Sequence, residues 1–319
     1  MTDPFEVGIN GWTAPFAEGI VSVGPLELSV GSSELEGGRR LDLVVRNPRR
    51  DTVALEEVVV TLAGVPEQVL EHGHQGASVV RRCRPNQERP ERSQLPEWVK
   101  RGHFSRPAAA GVVVVGDQFL LTSEGIAGFL DARRHLGTVE AGGTGITARA
   151  LLDGVPLPPG SSRSLEPLWL AEGDAGIRYS DFASLWGLTG GARISSPSPV
   201  GWSSRYHAGT PMTFEQLRKN LAAAAAHGLD LVELDEGYQA AIGDWLSPPA
   251  VWAGVQEPAR EIHHAGLRAG LWSAPFLVGE DSAVLREHPD WVAADGEGGP
   301  WPPVRQPSSV QGLALALDA

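Results

Sequence analysis

In the first half of the chain, apolar residues recur in short runs closed by turn residues. Residues 20–28, 41–46, 53–62, 111–115 and 119–123 are dense in Val, Ile, Leu and Phe, the composition of β-strands. Val58-Val59-Val60-Thr61-Leu62 alternates well enough to give one dry face and one wet face. Gly37-Gly38, Asn47-Pro48 and Gly116-Asp117 supply turns between such runs. Many short strands without a helical period predict an antiparallel β-sandwich over residues 1–176. The polar, Arg- and Pro-rich segment 81–106 interrupts this pattern and is expected to form a long excursion. Residues 177–188 place Phe182, Leu185 and Trp186 on one helical face, and Gly190-Gly191 with the Ser-Pro run up to Pro199 follows. A helix and linker over 177–198 is the expectation.

From Pro199 onward the pattern changes to strand–helix alternation. Thr213 and Gln216 make a capping box ahead of a stripe of Leu217, Leu221 and Ala224, and Gly228 ends that helix. A strand through Leu231-Val232-Glu233-Leu234 follows. Pro258 then opens a helix carrying Ile262 and Ala265, and Gly266 closes it. The next strand ends at Leu271-Trp272, and Ser282 caps a short helix that Pro289 terminates. Repeated β-to-α units imply parallel strands with right-handed crossovers. This pattern fits a barrel and a doubly wound sheet equally well.

Composition narrows the partners. The 319 residues carry 26 basic and 39 acidic side chains, a net charge of −13. Such a field repels nucleic acid and anionic membrane, so neither is an expected partner. A single cysteine, Cys83, excludes an internal disulfide and every zinc motif built on paired thiolates. Residues 1–20 contain no apolar core of a signal peptide, and no run is long enough to span a bilayer. A cytoplasmic protein is the expectation. Ten tryptophans against three tyrosines offer flat faces suited to sugar rings as well as to core packing.

Ligands of parallel α/β folds gather at the C-terminal ends of the strands. That rule selects Gly201-Trp202-Ser203-Ser204-Arg205-Tyr206-His207, then Asp235-Glu236-Gly237-Tyr238-Gln239, then Trp272-Ser273-Ala274-Pro275. Two adjacent carboxylates at a strand end suit vicinal hydroxyls, through charge-assisted hydrogen bonds. The same pattern also fits Asp235 capping the following turn, with Glu236 in solvent. A retaining glycosidase needs carboxyls about 5–5.5 Å apart across the scissile bond. Neighbours on one strand flank a bond poorly, so recognition is the better use of this pair. His72-x-His74 lacks a third metal ligand, and Glu261 with His263 and His264 does not make H-E-x-x-H. Gly142-Gly143-Thr144-Gly145 reads as a turn. No metal and no cofactor is expected.

Five motifs occur in order: Pro199-Val200-Gly201-Trp202, Leu234-Asp235-Glu236-Gly237-Tyr238-Gln239, Gly243-Asp244-Trp245, Gly266-Leu267 through Gly270-Leu271-Trp272, and Ser282 with His288-Pro289-Asp290-Trp291. Together they resemble the α-galactosidases and raffinose-processing enzymes of glycoside hydrolase family 36, over about residues 199–318. The resemblance implies an N-terminal β-sandwich followed by a (β/α)8 TIM barrel acting on α-galactoside oligosaccharides with net retention. It assigns substrate binding to Asp235, Glu236 and Trp272, with Trp202, Tyr238, Asp244 and Trp245 around them. Three positions depart from the family pattern. Glu236 stands where a second Asp is usual, Arg205 where Trp is common, and Phe276 where Glu often follows.

In the family the nucleophilic and acid/base aspartates follow strands 4 and 6. The chain reaches Ala319 before strand 4, and residues 199–319 supply about half of the 200–250 residues a barrel needs. The expectation is therefore an incomplete barrel of three or so units over 199–319. No catalytic residue is expected in this chain, which would be inactive alone and part of a homo-oligomer at full length. The alternatives are a non-catalytic galactose-binding module and a galactosyl-transferring relative.

Overall fold

The computed structural model describes residues 4–72, 80–87, 106–108, 111–143, 145–193, 197–205, 213–248, 254–293, 304–305 and 311–314. The chain divides into two compact units, Met1–Arg193 and Ile194–Ala319.

The first unit is an antiparallel β-sandwich. One sheet runs in the order Trp12–Pro15, Pro4–Ile9, Val53–Ala63, Gly145–Leu157, Leu136–Gly142, Gly111–Asp117, Arg106–Ala108. The other runs Gly19–Val23, Leu26–Leu35, Gly38–Arg46, Leu168–Glu172, Gly125–Phe129, Phe119–Thr122, Val69–Glu71, Arg81–Cys83. Alternation decides which residues line the core. Val58, Val60 and Leu62 from the first sheet join Leu28, Leu41, Leu43 and Val45 from the second. The run expected over 20–28 is in fact two strands, because Gly24 takes φ +57° in the turn between them. Of the excursion expected over 81–106, Arg81–Cys83 is a strand whose Arg81 reaches the fully buried Glu71 carboxylate at 3.0 Å. Residues 88–105 and His74 lie outside the described residues. His72 directs its ring at the Phe119 carbonyl, 2.9 Å away.

The helix expected within 177–198 spans Ala175–Gly190. Asp174 caps it, accepting from the Gly176 and Ile177 N–H groups. Phe182 and Leu185 enter a core with Ile126, Leu130 and Trp169, so the helix packs on the sandwich.

In the second unit, three parallel strands stand in the order Gly201–Ser203, Leu231–Leu234, Arg268–Leu271. Helices Phe214–Ala226 and Gln256–His264 connect them. The Thr213–Gln216 capping box forms, and Leu217, Leu221 and Ala224 are the buried residues of the first helix. They meet Val232, Leu234, Ile262 and Leu267. Truncating a side chain as buried as Leu217 costs about 2–5 kcal/mol, so this small core holds the strand ends in place. Arg218 and Glu261 join the two helices at 3.1 Å. Among the described residues no helix is long and apolar enough to cross a membrane.

Candidate functional site

Side chains of the middle parallel strand alternate between two environments. Val232 and Leu234 are buried against the helices. Glu233 and Asp235 therefore belong to the opposite face, which is polar. Ser203 of the first strand confirms this by donating to Asp235 Oδ2 at 2.8 Å. The backbone ladder continues past the third strand, where Trp272 N–H donates to the Leu234 carbonyl at 3.0 Å. Asp235 and Trp272 thus end adjacent strands at one level.

The acidic doublet is held from several directions. Asp235 is buried, its N–H donates to Ser204 Oγ at 2.9 Å, and its Oδ1 accepts from the Glu236 N–H at 2.7 Å. Glu236 forms an ion pair with Arg205, both side chains being largely buried. Gln239 Oε1 accepts from the Gly237 N–H at 3.0 Å, and the Gly237 φ of +113° lets the chain turn immediately after the doublet. Burial, and secondarily the Asp235 charge, raise the Glu233 carboxyl above its ordinary range.

The remaining candidates occupy supporting positions. Tyr238 is buried in the helix-side core, and its hydroxyl donates to the Trp272 carbonyl at 2.9 Å. Burial raises its pKa. Trp245 meets Trp272 edge-on, with ring centroids 5.9 Å apart. Trp202 packs half-buried against the helix-side core, on the face opposite Ser203. Both carboxylate oxygens of Asp244 are engaged at the N-terminus of helix Ala283–Glu287, accepting from the Ala283 and Val284 N–H groups at 2.9 and 3.2 Å. Tyr206 and His207 lie outside the described residues. Among the described residues no cluster of three or more His, Cys, Asp or Glu has metal-site geometry.

Asp235 and Trp272 thus end adjacent strands at one level with Glu236 beside them, Ser203 and Arg205 of the selected strand-end stretch 201–207 join them, and Glu233 is the one addition that the strand-end rule did not select. Arg205 was legible twice, within the strand-end stretch 201–207 and as a departure from the family pattern, but neither signal named Glu236 as its partner. Glu233 had a signal, an acid inside a strand that is otherwise Leu and Val.

Against known proteins, residues 201–300 match the family model described as Melibiase. Alpha-galactosidase AgaA of Geobacillus stearothermophilus is 35% identical over 81 residues, 23% of this chain and 11% of that protein. The bifunctional alpha-galactosidase/sucrose kinase AgaSK of Mediterraneibacter gnavus is 31% identical over 99 residues, 28% of this chain and 10% of that protein. TtGalA, an alpha-galactosidase from Thermus thermophilus solved with p-nitrophenyl alpha-D-galactopyranoside, superposes with TM-score 0.57 at 26% identity. That match covers 98% of this chain and 57% of TtGalA. The same enzyme solved with stachyose gives TM-score 0.59 at 24% identity, over 98% and 60% of the two chains. The chain resembles the N-terminal portion of the family 36 α-galactosidases. The sandwich and the three parallel strands both fall within that likeness. The chain spans little more than half the length of TtGalA.

Proposed function

We propose that this chain supplies the galactose-recognising face of a retaining α-galactosidase-type glycoside hydrolase whose substrates are α-galactoside oligosaccharides. The observation that carries the proposal is the Asp235 carboxylate, buried at the end of a parallel strand, with Ser203 on one oxygen and Trp272 ending the next strand at the same level. A carboxylate fixed this way accepts from sugar hydroxyls without first losing rotamer freedom. Glu236, aimed by Arg205, adds a second acceptor. The Trp272 indole offers the apolar face of the sugar a surface, with Trp245 packed edge-on against the ring and the Tyr238 hydroxyl holding the Trp272 backbone carbonyl. The melibiase match over 201–300, and the stachyose and p-nitrophenyl galactoside bound in TtGalA, point to the same chemistry.

Retaining cleavage proceeds through a covalent glycosyl-enzyme and requires two carboxyls about 5–5.5 Å apart on opposite sides of the bond. Asp235 and Glu236 are chain neighbours at one strand end, so their role is recognition. No bond-breaking role is assigned to a residue of this chain. A cytoplasmic setting accords with a single cysteine.

Calorimetric titration with methyl α-galactoside and with its 4-epimer, methyl α-glucoside, tests the proposal. The expected result is saturable binding of the galactoside at least about tenfold tighter than of the glucoside. Equal affinity for the two epimers, or no heat from either, would refute it.

A further inference from the structure

One carboxylate on the polar face has no role in the account above. Glu233 lies two residues before Asp235 on the same face, about 6.6 Å deeper along the strand. In register it stands between Ser203 on one side and Gly270 on the other. Gly270 brings no side chain, and a Cβ there would sit 3.6 Å from the Cα, Cβ and Cγ of Glu233. The glycine therefore leaves the flank of Glu233 open.

No donor among the described residues bonds the Glu233 carboxylate. Among the described residues, the charged groups on the adjoining strands and at their C-terminal ends are Asp235 on its own strand, Glu236 beyond it, Arg205 after the first strand and Arg268 at the start of the third. Arg205 is paired with Glu236. Arg268 is exposed and pairs in register with Leu231, without an ion pair to Glu233. Glu233 and Asp235 thus share the polar face, and among the described residues no cation forms an ion pair with either carboxylate. The raised pKa of Glu233 has the same origin, burial together with the Asp235 charge.

A sugar hydroxyl offers such a carboxylate an ordinary hydrogen bond. A protonated amine offers a charge-assisted one, about twice as strong. We propose that Glu233 is a specificity-determining residue that makes this site prefer a cationic aminogalactoside to the neutral galactoside. The proposal rests on the galactose-recognition function put forward above.

The test is calorimetry at pH 6 with methyl α-galactoside, methyl α-galactosaminide (2-amino), its 6-amino-6-deoxy isomer, and the N-acetylated form of the 2-amino sugar. At least one of the two amines is expected to bind roughly five- to tenfold tighter than the neutral parent. Glu233→Gln should bring amine and parent within about twofold of each other, and if the amine read is the 2-amino group, acetylation should abolish the preference on the wild-type protein. A second readout needs no variant: the wild-type preference should fall as pH is lowered, starting above the ordinary carboxylate range. If the galactoside binds but neither amine is preferred, or if Glu233→Gln keeps the preference, this inference fails and the galactose site stands. If no galactoside or amine binds, both fail.

Discussion

Asp244 allows the support of the site to be separated from its contact with sugar. Its carboxylate accepts from two N–H groups at the start of helix Ala283–Glu287, at 2.9 and 3.2 Å. Trp245, the next residue, packs on Trp272. Asp244→Ala removes both acceptors from part-buried donors and takes a negative charge from a helix N-terminus. Caps of this kind contribute about 1–2 kcal/mol. For a domain of this size that is a fall in Tm of roughly 4 °C per kcal/mol. Asp244→Asn keeps one oxygen and should lose about half as much. Because Trp245 loosens with the cap, galactoside affinity should fall only about threefold, roughly 0.7 kcal/mol. Melting followed by near-UV circular dichroism, with calorimetry on the same samples, reads both effects. An unchanged Tm with affinity lost by more than about 100-fold would mean that Asp244 touches the sugar, and would refute the capping role.

Two further outcomes follow from the same contacts. His135 is buried, and its Nε2 accepts from the Glu166 N–H at 3.1 Å. Burial, with Arg163 and Arg134 nearby, depresses its pKa to about 4 from 6.5. The stabilisation from neutral His135 is therefore complete above the unfolded value, 6.5, and is lost as pH falls from there toward 4. It amounts to at most about 3 kcal/mol. His135→Gln should flatten the pH dependence of Tm between pH 7 and 4.5, and parallel curves for variant and wild type would sink the assignment. Arg205→Ala leaves Glu236 without its cation, so galactoside affinity should drop about tenfold. Arg205→Lys should recover part of that loss, and affinity unaffected by either change would show that the pair does not aim Glu236.

Local signals in the sequence carried much of the fold. Thr213 and Gln216 form the expected capping box, Leu217, Leu221 and Ala224 are the residues that helix buries, and Ser282 caps the helix it precedes. These features depend on residues three or four apart, which periodicity reports directly. The contacts that finish the site span longer separations. Asp244 meets Ala283 across 39 positions, and Arg205 meets Glu236 across 31. No spacing rule links such partners: the register of parallel strands brings Arg205 to Glu236, and the segments after the second and third strands bring Asp244 to the helix at Ala283. Trp202 shows the converse. Its place near the end of a strand suggested a pocket wall, and alternation turns it toward the helices. The packing of helix Ala175–Gly190 on the sandwich was likewise hidden, since Phe182 and Leu185 give an apolar stripe without naming its partner.

A crystal of this chain soaked with methyl α-galactoside tests the central claim most directly. The account predicts the pyranose ring against the Trp272 indole, with hydroxyls donating to Asp235 and Glu236. Density for the sugar on the sandwich, or at the parallel strands but out of reach of Asp235, would contradict it.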